Sequence, residues 1–312
     1  MTPFYRRLAW TAAFLTYALI VLGAWVRITD SGMGCGDHWP LCNGHVIPRL
    51  DDPATLIEWS HRLVVTIVTL PIVALAIATW RLRRRPSFPD PGSSRSPANP
   101  AAGPATAPNR AAYLALALVV LAAALGRATV ILELPPWTVI LHFGTAILLL
   151  ATLIVAARGG PVRVPGGSLL VLIALAFATL LLGALTANLG AAGACTGFPL
   201  CNGQFVPRGG ALQHLHWAHR LVAYVLAGWV VGWSIRARGR QGSLPVLFLV
   251  MVQVIVAVVM VLSGLPAGLQ AAHAAVGVAL WGVVVAVATA VGEARGAGAS
   301  APLTRSVRAE AT

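Results

Sequence analysis

The sequence predicts an all-α integral membrane protein with eight transmembrane helices, arranged as two parallel-related four-helix bundles, and three observations carry that prediction. Of 312 residues, 58% are apolar and only 10% charged, whereas soluble domains run near ~45–50% and ~25%. The apolar residues gather in eight continuous stretches close to the ~20 residues needed to cross ~30 Å of hydrocarbon. Motifs of the first half also recur in the second. Continuous runs about twice the length of a ~10-residue alternating barrel strand exclude a β-barrel.

The stretches lie at about 8–27, 57–80, 111–132, 137–157, 168–188, 212–235, 244–264 and 268–292. The first follows Arg6 and Arg7 as the core of a signal peptide would, but it is too long and no clear A-x-A cleavage site follows it, so it counts as a helix. The connections after the second, fourth and sixth stretches, with the two termini, hold sixteen arginines: Arg6, Arg7, Arg81, Arg83, Arg84, Arg85, Arg95, Arg110, Arg158, Arg163, Arg236, Arg238, Arg240, Arg295, Arg305 and Arg308. The opposite loops hold only Arg49 and Arg208. The positive-inside rule therefore puts both termini in the cytoplasm of a multi-pass protein of the cell membrane. The net charge of +13 follows from that rule, and no nucleic-acid partner is expected. Residues 86–108, with seven prolines, read as a disordered cytoplasmic linker.

Leu22-Gly23-Ala24, Pro40-Leu41-Cys42-Asn43-Gly44 and Trp59-Ser60-His61-Arg62-Leu63-Val64 recur as Leu182-Gly183-Ala184, Pro199-Leu200-Cys201-Asn202-Gly203 and Trp217-Ala218-His219-Arg220-Leu221-Val222. Pro135 and His142 likewise match Pro266 and His273. The chain divides into units 1–157 and 158–312. Each has an even number of spans, so the units are parallel, related by an axis along the membrane normal.

Cys35 and Cys42 fall in the loop after the first helix, and Cys195 and Cys201 in the equivalent loop after the fifth. Both loops are exported, where disulfides persist, so Cys35–Cys42 and Cys195–Cys201 are expected to pair as loop staples, with a redox role for one pair as the alternative. His61, His142, His219 and His273 each lie within the first two turns of an even-numbered span. Ionisable groups at that depth face a bundle interior or cavity, and one His from each of two helices is the arrangement that clamps a haem iron from both sides. His38, His45 and His214 read as loop histidines in contact with water.

The halves differ. Glu58 precedes His61 by three residues, on the same helix face, and its equivalent is His216. Arg27 aligns with Ala187, and Arg127 aligns with the apolar stretch around Ala257 and Val258. The first unit therefore carries additional acid–base and anion-binding groups, which suggests one reactive site and one passive redox site. Glu58 as a helix-dipole partner, and Arg62 and Arg220 as residues that snorkel to the interface, are the structural alternatives.

The run Gly23-Ala24-Trp25-Val26-Arg27-Ile28-Thr29-Asp30-Ser31-Gly32-Met33-Gly34-Cys35, followed by Trp39-Pro40-Leu41-Cys42-Asn43-Gly44 and Glu58-Trp59-Ser60-His61-Arg62, resembles the haem A synthase family. With the second Cys pair and the four histidines, the resemblance covers the chain apart from the 86–108 linker and the C-terminal tail. It implies an eight-helix oxidoreductase that converts the C8 methyl of haem O to the formyl group of haem A by successive hydroxylations and loss of water. The product serves terminal cytochrome oxidase. Haem O synthase and cytochrome oxidase assembly proteins are the implied partners. His61 and His142 look like the ligands facing haem O, Glu58 like the family's acidic residue, and His219 and His273 like the axial ligands of a bound haem b. Arg27, Arg62 and Arg220 are the expected propionate partners, while Arg127 stands outside the family motif. Two other classes compete: a bis-His di-haem electron-transfer cytochrome, which predicts symmetric units, and a membrane thiol oxidoreductase, which requires exchange with a partner thiol.

Overall fold

The computed structural model of the chain describes residues 2–49, 51–84, 110–159, 166–238 and 242–299, with side chains as far as residue 290. The 86–108 linker and Arg85, Arg95, Arg163, Arg240, Arg305 and Arg308 lie outside the described residues.

Eight helices follow one another: α1 (Pro3–Ile28), α2 (Pro53–Arg84), α3 (Ala111–Ile131), α4 (Pro136–Arg158), α5 (Gly167–Asn188), α6 (Ala211–Ala237), α7 (Ser243–Leu262) and α8 (Ala267–Ala299). Each contains a stretch long and apolar enough to cross a membrane, and the protein is a multi-pass membrane protein. Several begin before their apolar stretch, for reasons hydropathy does not register. The Thr2 hydroxyl accepts the Tyr5 amide at 3.2 Å with Pro3 at the first helical position, so α1 starts there. Asp52 accepts the Thr55 amide at 2.8 Å and starts α2 at Pro53 in the same way.

The first four helices close a ring in which α1 touches α2, α2 touches α3, α3 touches α4 and α4 returns to α1. The last four repeat it: α5 with α6, α6 with α7, α7 with α8, α8 with α5. Among the described residues the diagonal pairs, α2 with α4 and α6 with α8, bring no Cα atoms within 8 Å of each other. The rings meet through α4 and α8, flanked by α1 against α8 and α4 against α5. The Trp281 indole donates to the Ile147 carbonyl at 2.8 Å across this seam, and the Tyr17 hydroxyl donates to the Ala275 carbonyl at 3.3 Å.

The interior is not evenly filled. At the end that carries the N-terminus, Tyr5, Ala12, Ile72, Leu75, Leu153, Leu172, Val230, Val246 and Val284 are all sealed from solvent, and the buried Tyr5 hydroxyl meets Thr79 at 3.0 Å. At the end bearing the two disulfide loops, residues 21–28, 177–185, 251–262 and 267–276 contain no buried side chain. The helical residues buried there are mostly polar: Thr55, Glu58, Thr129, Thr138, Thr186, His216 and Arg220, with Ala122, Val130 and Ala191 the apolar ones. Protein interiors pack to crystal-like density, so a bundle that does so at one end only encloses open space at the other.

Candidate functional site: paired histidines beneath disulfide-pinned loops

His61 and His219 are each the ninth residue of their helix, and His142 and His273 each the seventh. Because α2 starts four residues before its apolar stretch, His61 lies in the third turn, one deeper than its span predicts, and His219 stands at the same depth in α6. All four lie in the loosely filled end, and all four are half-buried. They line space rather than pack into a core. His61 on α2 and His142 on α4 stand on diagonal helices of the first ring, and His219 on α6 and His273 on α8 on diagonal helices of the second.

Small residues set the rings in place. A Cβ on Gly23 would sit 3.3 Å from His61 Nε2, one on Gly126 would sit 3.2 Å from His142 Cε1, and one on Gly183 would sit 3.0 Å from His219 Cε1. Each imidazole thus rests against the bare backbone of the neighbouring odd-numbered helix. The repeated Leu-Gly-Ala triplet was visible in the sequence, but its role was not. His142 Nδ1 lies 2.8 Å from the Ala122 carbonyl. A carbonyl can only accept, so Nδ1 carries the proton and Nε2 keeps its lone pair for a ligand. At the position equivalent to Ala122 stands Gln253, whose amide lies 3.1 Å from His273 Nδ1. That partner escaped the sequence reading, although its unpaired polarity in an apolar helix was a usable signal. His61 makes no hydrogen bond to any described residue.

Above the histidines the loops are pinned. Cys35 pairs with Cys42 and Cys195 with Cys201, as expected, and all four are 2% exposed or less. Trp59 Nε1 donates to the Val46 carbonyl at 2.9 Å, and Trp217 Nε1 to that of Phe205 at 2.8 Å.

Glu58 is buried and turns away from His61. Its Oε2 accepts the Cys35 amide at 2.8 Å, and its Oε1 accepts both Nε and Nη2 of Arg62. Arg62 Nη1 donates to the carbonyls of His38 and Leu41 at 2.7 and 2.6 Å. In the second ring His216 stands in for the carboxylate: its Nδ1 donates to the Ala191 carbonyl at 3.0 Å, and its Nε2 accepts from Arg220 Nε at 3.1 Å. The remaining Arg220 bonds go to the carbonyls of Gly197, Leu200 and Cys195. Arg27 donates to Asn188 Oδ1 at 3.0 Å and to the Ala187 carbonyl at 2.7 Å, so it bolts α1 to its repeat-related position on α5. These three arginines hold loops and helix ends together. His38 and His45 are exposed loop residues as expected, whereas His214 lies in the first turn of α6, also exposed.

A profile of the COX15-CtaA family, described as cytochrome oxidase assembly protein, matches residues 6–285. The heme A synthase of Symbiobacterium thermophilum is 34% identical over 259 residues, which is 75% of this chain and 78% of that protein. The heme A synthase of Geobacillus thermodenitrificans is 31% identical over 263 residues, 78% and 76% respectively, and that of Exiguobacterium sibiricum is 30% identical over 266, 80% and 83%. With its profile match spanning nearly all eight helices, the chain belongs to the COX15-CtaA family of cytochrome oxidase assembly proteins.

Proposed function

We propose that the protein is a haem A synthase, an oxidoreductase that converts the C8 methyl of haem O to the formyl group of haem A through successive hydroxylations and loss of water. On this reading residues 1–157 hold haem O and residues 158–312 hold haem b. The observation that carries it is the placing of half-buried histidines on the diagonal helices of both rings, with a buried carboxylate on the helix of only one pair. The residues fit a haem: the diagonal helices stay apart, the rings are backed by glycine, and a carbonyl partner leaves Nε2 of His142 available, as metal-bound histidines require.

His61 and His142 grip the substrate iron and thereby fix the macrocycle between α2 and α4. Glu58 serves as the proton acceptor of that site, with Arg62 and the Cys35 amide orienting its carboxylate. His219 and His273 hold haem b, which when bound supplies one-electron transfer to and from the substrate site. Both termini lie in the cytoplasm, which places the haem sites toward the exported side.

The di-haem relay predicts matching halves, and the replacement of Glu58 by His216 speaks against it. Thiol exchange needs an accessible sulfur, and the burial of all four cysteines supports staples instead. Extraction of pigment from purified protein is the deciding experiment. Haem b together with haem O or haem A is the expected result, and haem b alone in both units would replace the synthase with a relay.

A further inference from the structure

Four arginines stand on helices at the loop end, and three have their guanidinium groups committed: Arg27 to Asn188 and Ala187, Arg62 to Glu58 and loop carbonyls, Arg220 to His216 and loop carbonyls. Arg127 does not. It follows Gly126, the position that backs onto the His142 ring, so it sits at the level of the first histidine pair. It is exposed and makes no hydrogen bond or ion pair with any described residue. Its guanidinium carbon lies 6.0 Å from the centroid of the Trp39 ring, on the loop that covers this half.

The second half closes differently. Phe198, the equivalent of Trp39, meets the Tyr224 ring at 6.0 Å edge to face, and the Tyr224 hydroxyl donates to the Pro199 carbonyl at 2.7 Å. The position of Arg127 is taken there by Val258. The position of Tyr224 is taken in the first half by Thr66, whose hydroxyl turns back to the Arg62 carbonyl at 3.3 Å. One loop is therefore latched by its own aromatic pair, and the other rests beside an uncommitted cation.

We infer that Arg127 is the residue that recognises a carboxylate of the ligand in the first unit, with the Trp39 ring beneath its guanidinium. The inference rests on the reading of that unit as the substrate site. Carboxylates avoid hydrocarbon, so a macrocycle held by His61 and His142 turns its acidic edge toward the polar end of the bundle. A guanidinium beside an aromatic face keeps its in-plane N–H groups free and fits a carboxylate with two parallel bonds. In the second unit Val258 stands at this position and offers no such group.

The test is titration of the purified full-length protein, resident haem retained, with haem O and with its dimethyl ester, read by Soret difference spectra. The wild type is expected to bind the diacid more tightly than the diester. Arg127→Gln should weaken the diacid about tenfold, in line with loss of a charge-assisted hydrogen bond, and leave the diester unchanged, while Arg127→Lys keeps part of the preference. Equal binding of diacid and diester by the wild type overturns the inference without any variant. So does a Gln variant that binds the diacid normally, or that loses both forms alike. His61→Ala should lose both forms. If it binds as wild type does, or if the wild type takes up neither form, the assignment of the first unit as substrate site falls and this inference falls with it.

Discussion

Glu58 shows how much of a residue's chemistry is set by its neighbours. Helical spacing aligns it with His61, yet its carboxylate is held by the Cys35 amide and the Arg62 guanidinium. Glu58→Gln keeps an acceptor for the amide but removes the charge and the proton acceptance. Haem b should therefore persist with an unchanged spectrum while haem A formation stops, as pigment analysis of the expressed variant would show. Normal haem A output from that variant would remove Glu58 from the chemistry. His219→Ala and His273→Ala should instead lose the haem b spectrum, with activity falling as a consequence. Asp52 offers a pH readout outside the membrane. Its hydrogen bonds from the Thr55 amide and hydroxyl hold its carboxyl below the usual carboxylate range. A lowered value means the cap stabilises fully above the ordinary carboxylate range and is lost as pH falls through the lowered one. Asp52→Asn should accordingly flatten the acid side of the Tm-against-pH curve.

At the scale of helices and loops, the glycine contacts decide where the imidazoles stand. A side chain on Gly183 would occupy the place of the His219 ring, and one on Gly23 that of His61. Gly183→Leu should abolish the haem b spectrum in a protein that still inserts and purifies, whereas Gly23→Leu should spare haem b and block uptake of haem O. Spectra of the two purified variants separate the units without touching a ligand. The disulfide loops act on the same scale. Cys35→Ser is expected to lower stability by about 2–4 kcal/mol, the usual contribution of such a crosslink, and to leave haem content intact. Loss of turnover at full stability and full haem content would favour a redox role for the pair.

Over the whole molecule, the packed end and the open end divide the labour. Alanine, leucine and valine seal the N-terminal end, including the seam between the rings at Ile147 and Trp281, so the two rings are held as one body while their other ends stay open for ligands. The orientation of that body follows from the arginine distribution. Reporter fusions after Arg85 and after Arg240 should read cytoplasmic, and fusions between Cys35 and Cys42 exported. The reverse pattern would invert the molecule and remove the basis for exported disulfides.

Hydropathy, charge asymmetry and repetition are properties of the linear chain, and from them the sequence by itself determined the eight spans, the paired loops and the four recurrent histidines. Both disulfides agree with that reading and the spans do so to within seven residues, and the starts of α1 and α2 moved because Thr2 and Asp52 cap those helices ahead of the apolar stretch. Only the tertiary structure decided which helices lie diagonally, that the interior is open at one end, that Glu58 turns to the loop, and that Arg27, Arg62 and Arg220 are committed while Arg127 makes no hydrogen bond or ion pair to a described residue. Each of these depends on which atoms from positions as far apart as Arg27 and Asn188 meet in space. Composition and spacing hold no record of such contacts, because the same residue types at the same intervals can pack with different partners.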